Sequence, residues 1–257
     1  MCPSINLGYC SIGTFTLCFG LGLVGVVLLT LLQLRTGQVS IGLQNKVFPC
    51  IPFGLLFGIA VSVLVETILF HGWRALFAGR FKYGVNFFGW LIGFLVFLKA
   101  YAAVTRISAT YLMCLFLPSV AVAQGFGRIG CFLGGCCWGR PVPPYLGVRY
   151  PSGCLPFEMY GNLPLFPTQL VESIWLFAVA GILFRQVKSG ARADWYFLLV
   201  GSGRFVLEFM RGDPRGAIIA GLPLSPAQCI GIVLALYGFV RIINDDFVHG
   251  NENVKSD

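Results

Sequence analysis

The stretch QGFGRIGCFLGGCCWGRP, residues 124–141, follows directly on an apolar run. It carries two arginines, six glycines and three cysteines, a composition that a plain lipid-facing helix has no reason to hold. The run before it, about residues 110–124, is short, because a helix needs about 17–25 apolar residues to cross the hydrocarbon core. We therefore expect this run to end inside the membrane as a helix tip, followed by a segment that binds a ligand.

The composition of the whole chain is that of an integral membrane protein. The chain has 257 residues, of which 57% are hydrophobic and only 11% are charged, and its mean hydropathy is +0.81. A water-soluble domain of this length cannot cover such a sequence with polar surface. No polar block is long enough to fold alone, which predicts a single membrane domain over residues 1–257. The net charge of +8 suits a protein that faces anionic lipid head groups, and no nucleic-acid partner is expected.

Apolar runs predict about seven transmembrane helices, so the expected fold is an all-α integral membrane protein with a small periplasmic cap loop. The connection after the fourth helix is long, and its Tyr, Phe and Leu content argues against disorder. The predicted helices lie near 11–32, 47–70, 84–102, 110–124, 168–184, 194–210 and 225–243, and the outer loop covers 125–167.

The orientation of these helices does not follow from loop charges alone. Lys and Arg divide equally between the two sides, so the positive-inside rule does not decide. The side that carries residues 124–141 has almost only arginine, whose planar guanidinium suits two-pronged contact with phosphate. If those arginines bind a ligand instead of setting the topology, the C-terminus is cytoplasmic and the long loop is periplasmic.

Charged residues inside the apolar runs are functional candidates, because a charge at membrane depth is costly. Arg204 and Glu208 lie four residues apart on one predicted helix and share a face, so they can pair, either structurally or within a site. Glu172 lies near the outer end of another helix, where it is either a solvated carboxylate or a site residue. Arg128 either extends to the interface or binds an anion.

The glycines around Arg128 allow backbone N–H groups to approach an anion closely. In an unwound segment, the N–H groups of residues such as Gly127 and Gly130 would point at phosphate oxygens. Glycine also serves close helix packing, which is the alternative interpretation. An arginine beside a Gly-rich segment at membrane depth suits a phospholipid head group.

Three thiols, those of Cys131, Cys136 and Cys137, lie in the same stretch. No histidine is close in sequence, and C-x4-C-C is not a usual zinc spacing, so thiols or a disulfide are expected in preference to a metal. A loop in an oxidising compartment would permit a disulfide. A nucleophilic role for Cys136 or Cys137 is the remaining alternative, because arginines lower the pKa of a nearby thiol.

Four motifs in a fixed order resemble those of a known family. They are GFGRIGCFLGGCCWGRP, PTQLVES, GRFVLEFMRGDPRG and LSPAQ, and they are similar to motifs of the prolipoprotein diacylglyceryl transferases. The resemblance implies a seven-helix enzyme of the bacterial inner membrane. Such an enzyme moves the diacylglyceryl group of phosphatidylglycerol, an anionic phospholipid, to the lipobox cysteine of a lipoprotein precursor and releases glycerol phosphate. No cofactor is expected.

The resemblance also implies roles for individual residues. Arg128 and Arg204 match the two arginines that hold the lipid phosphate, and Glu208 matches the acidic residue one turn beyond Arg204. Glu172 is the best remaining acid or base. The further residues expected at the substrate site are Gly127, Gly130, Trp138, Arg140 and Gln169.

The sequence departs from the family pattern at several positions. Phe88 and Trp90 stand where the family has histidine and glycine, and Cys136 stands where it has glutamate. Cys131 and Gly134 stand at positions of asparagine. We therefore expect Phe88 and Cys136 at a substrate site whose acceptor is either the lipobox thiol or another group. The alternative function is a non-catalytic phospholipid-binding membrane protein that has lost the transferase chemistry.

Overall fold

The computed structural model of the protein describes residues 4–6, 11–71, 87–213 and 224–254. Within these ranges the regular secondary structure is helical, apart from one short antiparallel hairpin near the N-terminus. The hairpin consists of β1 (Ser4–Asn6) and β2 (Ser11–Gly13). The helices are α1 (Thr14–Thr36), α2 (Ile41–Val47), α3 (Cys50–His71), α4 (Phe87–Thr105), α5 (Ala109–Leu133), α6 (Leu155–Tyr160), α7 (Thr168–Arg185), α8 (Arg192–Glu208) and α9 (Pro226–Val254).

The helices have the length and surface of membrane spans. Six segments are long and apolar enough to cross a membrane, namely α1, α2 together with α3, α4, α5, α7 and the first part of α9. With α8, which has 17 residues, the protein is an all-α integral membrane protein of about seven spans. Large apolar side chains such as Leu28, Val96 and Val206 are exposed, whereas the charged side chains of Glu172 and Arg204 are buried. This is the inverse of a water-soluble protein and fits lipid as the solvent.

The fourth membrane helix differs from its predicted bounds. We expected it to end near residue 124, but α5 continues without a break to Leu133. Two of the glycines beyond residue 124 serve close packing: a β-carbon at Gly125 would lie 2.8 Å from the Phe177 ring, and one at Gly130 would lie 3.1 Å from Cα of Phe15. Residues 125–133, which were expected to unwind and direct N–H groups at phosphate, are therefore helical.

Contacts divide the chain into two compact units. The first comprises Met1–Leu29 and Phe116–Asp257, and the second comprises Thr30–Leu115. In the second unit α3 packs on α4, and a β-carbon at Gly58 of α3 would lie 2.7 Å from the indole nitrogen of Trp90. Within α4 the rings of Trp90 and Phe94 stack with centroids 5.1 Å apart. Organisation of the whole chain as one membrane domain stays a prediction.

In the first unit, α8 packs closely along α9. A β-carbon at Gly201 would lie only 2.6 Å from the carbonyl oxygen of Gly231, so a side chain at this crossing would force the two helices apart. On the same helix Tyr196 is fully buried, and its hydroxyl lies 3.4 Å from Oε1 of Gln124. These contacts hold α8, whose last turns carry Arg204 and Glu208.

The connection between α5 and α7 is ordered around a small apolar cluster. Trp138, Tyr150, Cys154 and Leu165 are buried together, with Tyr160 packed against them. Backbone hydrogen bonds join distant parts of this connection, among them the N–H of residue 148 to the carbonyl of residue 165 at 2.9 Å. The apolar content of the loop thus forms a core of its own, and the side of the membrane on which it lies stays a prediction.

A buried cluster of arginines and carboxylates

Glu172 on α7 lies among three arginine side chains. Its Oε1 is 2.9 Å from Nη2 of Arg128, and its Oε2 is 3.4 Å from Nη1 of Arg204 and 4.0 Å from Nη1 of Arg211. The Glu172 side chain is 4% exposed and that of Arg128 is 13% exposed. Glu172 is therefore not a solvated interfacial carboxylate, and Arg128 points into the protein instead of out to the interface.

Glu208 pairs with Arg204, as their spacing on one helix predicted. Nη2 of Arg204 lies 2.5 Å from Oε2 of Glu208. The other carboxylate oxygen of Glu208 accepts a hydrogen bond of 2.8 Å from the hydroxyl of Ser225, which precedes α9. Arg204 thus holds one carboxylate with each terminal nitrogen, and both carboxylates are themselves anchored.

Arg211 and Asp213 also belong to this cluster, although the sequence analysis did not assign them to the site. Arg211 makes a two-pronged contact with Asp213, from Nε to Oδ1 at 2.9 Å and from Nη2 to Oδ2 at 3.0 Å. Burial alone would lower the pKa of Arg211, but the hydrogen bonds to Asp213 raise it above its usual range, so the guanidinium stays charged. The signal was present in the sequence, since both residues lie within the motif GRFVLEFMRGDPRG.

Arg211 lies beyond the end of α8 and is held by the cap loop. The N–H of Arg140 donates to the carbonyl of Met210 at 3.0 Å, and the N–H of Gly212 donates to the carbonyl of Trp138 at 3.0 Å. Arg140 also donates from Nε to the carbonyl of Arg211 at 3.1 Å. This short strand-like pairing places Arg211 beside α7, and its side chain lies near Glu172.

The cluster contains three guanidinium groups and three carboxylates, so its formal charges cancel. Two of its donors are nevertheless unused: Nε of Arg204 and Nη1 of Arg211 are buried and have no hydrogen-bond acceptor among the described residues. A buried N–H group without an acceptor costs about 1–3 kcal/mol. Oxygen atoms of an additional anion, such as a phosphate, are acceptors of the kind that both donors lack.

Other residues predicted for the substrate site contact the cap loop. Gln169 at the start of α7 donates from Nε2 to the carbonyl of Cys136 at 2.6 Å, and the same nitrogen lies 2.9 Å from the Tyr150 hydroxyl. Trp138 is buried in the apolar cluster of the cap loop.

The two predicted glycines differ in their surroundings. A β-carbon at Gly127 would meet open space, in contrast to Gly130, which packs against α1.

Phe88 belongs to the second unit, in α4, so its assignment to the substrate site stays a prediction. Its ring contacts that of Phe87, with centroids 5.7 Å apart. The other predicted site residues all belong to the first unit.

The three thiols of the opening stretch come together beside the arginines. The sulfur atoms of Cys131, Cys136 and Cys137 all lie within 4.8 Å of one another, and none of the three residues is part of a disulfide. The disulfide that was one expectation is therefore not formed. Hydrogen bonds from the Cys131 and Cys136 side chains lower the pKa of the Cys137 thiol, and the charges of Arg211 and Arg128 lower it further.

Comparison with known proteins relates this chain to one enzyme family. The sequence profile described as prolipoprotein diacylglyceryl transferase matches residues 4–244. A phosphatidylglycerol–prolipoprotein diacylglyceryl transferase of Clostridium tetani is 38% identical over 167 residues, which is 63% of this chain and 64% of that protein, slightly less than two thirds of its length.

Two further relatives match over most of their length. A protein of Clostridium perfringens named phosphatidylglycerol–prolipoprotein diacylglyceryl transferase 2 is 31% identical over 86% of this chain and 87% of its own. A phosphatidylglycerol–prolipoprotein diacylglyceryl transferase of Streptococcus agalactiae is 26% identical over 93% of this chain and 94% of its own.

Proposed function

The chain belongs to the prolipoprotein diacylglyceryl transferase family, and from this premise we propose that it transfers the diacylglyceryl group of phosphatidylglycerol to the lipobox cysteine of a lipoprotein precursor. It does so as a multi-pass enzyme of the bacterial cytoplasmic membrane. The thiol sulfur forms a bond to the carbon of the diacylglyceryl group that carries the phosphate. The bond between this carbon and the phosphate oxygen breaks. Glycerol phosphate leaves, and the thiol proton ends on the released phosphate.

The observation that carries this proposal is the pair of unused donors in the arginine cluster. Nε of Arg204 and Nη1 of Arg211 are buried N–H groups that lack an acceptor in the described part of the chain. A lipid phosphate offers two unesterified oxygens that carry one negative charge. Binding it here would satisfy both donors and add one negative charge to a cluster whose own charges cancel.

The same guanidinium groups would assist the reaction. The departing phosphate gains negative charge as the carbon–oxygen bond breaks, and fixed cationic donors stabilise such charge best where water is excluded. Arg204 and Arg211 have side chains only 3% exposed, so they meet this condition. Arg128 is the most exposed of the three arginines, at 13%, and is the natural first contact for an incoming lipid head group.

Glu172 and Glu208 act through the arginines in this proposal. Both oxygens of Glu172 face guanidinium nitrogens, at 2.9 Å and 3.4 Å. We therefore propose that Glu172 orients Arg128 and Arg204, and that it does not act as the acid or base that the sequence suggested. Glu208, held by the Ser225 hydroxyl, fixes the other side of Arg204.

The remaining predicted substrate residues support the site in different ways. Gln169 and Arg140 hold the backbone of the cap loop through the carbonyls of Cys136 and Arg211. Trp138 anchors this loop in its apolar cluster. Gly127 leaves space beside Arg128 for the head group, since a β-carbon there would meet no other atom within 4 Å.

The test uses the purified full-length protein in vesicles that contain radiolabelled phosphatidylglycerol. A peptide with a lipobox cysteine is added, and both labelled peptide and released glycerol phosphate are measured. We expect the two products in equal amounts, and no product with a peptide whose cysteine is replaced by serine. Lipid that binds to the protein but yields neither product would instead support the non-catalytic phospholipid-binding alternative.

A further inference from the structure

Three cysteine side chains meet where the long helix α5 ends. Cys131 lies in the last turn of α5, and Cys136 and Cys137 lie in the turn that follows. Their sulfur atoms all lie within 4.8 Å of one another, and none of the three cysteines is part of a disulfide. The transferase reaction proposed above uses none of these thiols.

The helix end explains why residues five and six positions apart meet. Gly135 adopts a left-handed conformation with φ +67°, and its N–H donates to the carbonyl of Phe132 at 3.3 Å. The N–H of Cys136 donates to the carbonyl of Cys131 at 3.0 Å. This pair of bonds is the glycine-terminated helix end in which the chain turns back on the last helical turn. The turn places Cys136 beside Cys131.

The start of α7 holds the same turn in place. Gln169 donates from Nε2 to the carbonyl of Cys136 at 2.6 Å, and Thr168 donates from its hydroxyl to the carbonyl of Cys137 at 2.8 Å. Cys137 is kept at φ +61°, a left-handed conformation that is unfavourable for a residue with a β-carbon. Two independent side chains therefore hold the backbone in the conformation that brings the three sulfur atoms together.

We propose that Cys131, Cys136 and Cys137 form a binding site for a closed-shell thiophilic cation, Cu(I) or Zn(II), held by the three sulfur atoms. Sulfur lies about 2.3 Å from a bound zinc ion, so three sulfur ligands of one cation lie about 3.8–4.0 Å apart. A separation of at most 4.8 Å requires each pair to close by no more than about 1 Å. Thiolate ligands select these two metals over hard cations.

The composition of the site favours Cu(I) of the two. In the described part of the chain, no histidine or carboxylate offers a further ligand atom to this group. Three thiolates complete a trigonal site for Cu(I), whereas zinc is usually four-coordinate and would take a water molecule as well. Cys136 is exposed, so a cation or a water molecule can reach the group from outside.

The surroundings suit ligands that become negatively charged. Arg128 interacts electrostatically with Cys131 and Cys137, and Arg211 interacts with Cys137. Binding exchanges up to three thiol protons, released to the solvent, for three metal–sulfur bonds. No electron is transferred, because copper is supplied in its reduced state.

The proposal is tested on the reduced full-length protein in detergent micelles, without lipid substrate and without oxygen. One arm titrates Cu(I) in competition with a chromophoric Cu(I) chelator, and the other titrates Zn(II). We expect one equivalent of metal per chain and a thiolate-to-metal charge-transfer band in the ultraviolet. The arm with the tighter binding identifies the cation, and we expect it to be copper.

Cysteine variants locate the site. Removing a residue that only hydrogen-bonds to a metal ligand typically weakens metal binding about 10–100-fold. Cys131→Ser and Cys136→Ser each remove a proposed ligand itself, so each should weaken metal binding by at least about 100-fold. Cys229→Ser is the matched control, since Cys229 is a half-buried free cysteine on α9, and it should bind metal as the unaltered chain does.

Two outcomes would overturn the proposal without any variant. One is the absence of stoichiometric Cu(I) and Zn(II) binding by the fully reduced protein. The other is a count of free thiols that is two lower in the protein purified without reductant, with no metal bound, because this would show a disulfide within the group. Neither measurement requires lipid turnover, so the proposed transferase activity and the metal site can fail independently.

Discussion

Replacing Arg204 by lysine tests whether the geometry of the guanidinium group matters beyond its charge. Arg204 reaches Glu172 with Nη1 at 3.4 Å and Glu208 with Nη2 at 2.5 Å, and its Nε remains for the lipid phosphate. The single nitrogen of a lysine cannot serve three acceptors that lie in different directions. Arg204→Lys therefore keeps the charge and removes the fork.

The size of the effect follows from the contacts that are lost. A hydrogen bond to a charged group contributes about 1.5–3 kcal/mol, and the variant loses at least the donor for the phosphate and one of the two carboxylate contacts. A loss of about 3 kcal/mol in the transition state corresponds to roughly 10²-fold in rate. Removing one donor that stabilises a developing oxyanion typically costs about 10²–10³-fold. We expect kcat/KM to fall within that range.

The assay follows release of labelled glycerol phosphate in vesicles with a fixed fraction of phosphatidylglycerol. Arg149→Lys is the control, because Arg149 is an exposed residue of the cap loop, and it should retain full activity. Thermal unfolding of each variant separates loss of catalysis from loss of folding. If Arg204→Lys is folded and retains activity within about threefold of the unaltered enzyme, the phosphate does not depend on the arginine fork.

Arg128→Lys in the same assay is expected to lose most activity as well, and full activity in both lysine variants would contradict the role of the arginines in phosphate binding. Glu172→Gln should lower the free energy of unfolding by about 3–5 kcal/mol, because it leaves buried guanidinium groups without their shared carboxylate, and an unchanged unfolding temperature would refute the central position of this residue. Phe88→His is expected to lower the rate on a lipobox peptide, because a polar ring would replace an apolar one, whereas a large rate increase would show that a missing base limits the enzyme. With the native thiols removed, a reagent outside the cell should label Ser152→Cys and not Ser256→Cys, and the reverse pattern would invert the predicted topology.

The membrane fold follows from patterns that are local in the sequence. Runs of apolar residues of the length of a bilayer are sufficient to indicate helices, because backbone groups in lipid must be satisfied within their own segment. Charges inside such runs are costly, which is why Arg128, Glu172, Arg204 and Glu208 were recognised as candidates from the sequence. Only the pairing of Arg204 with Glu208 could be predicted as a contact, since a helix repeat places them on one face.

Contacts between segments that are distant in the sequence could not be predicted from these patterns. Arg211 lies beyond the predicted end of the helix that carries Arg204, and it reaches Glu172 because the cap loop pairs with the chain after α8. The extent of α5 was also misjudged, because glycine suits both an unwound loop and a tightly packed helix, and Phe177 and Phe15 decide in favour of packing.

By itself, the sequence determined that the protein spans the membrane with about seven helices, that it resembles one transferase family, and which charges are too costly to be incidental. Tertiary structure alone decided that Glu172 lies among three arginines, two of which keep an unused donor, and that the thiols of Cys131, Cys136 and Cys137 form one group. The physical reason is the range of the interactions. Hydropathy and helix periodicity are patterns of residues that are close together in the sequence. The ion-pair cluster depends on how α5, α7 and α8 pack, and this packing cannot be derived from such local patterns.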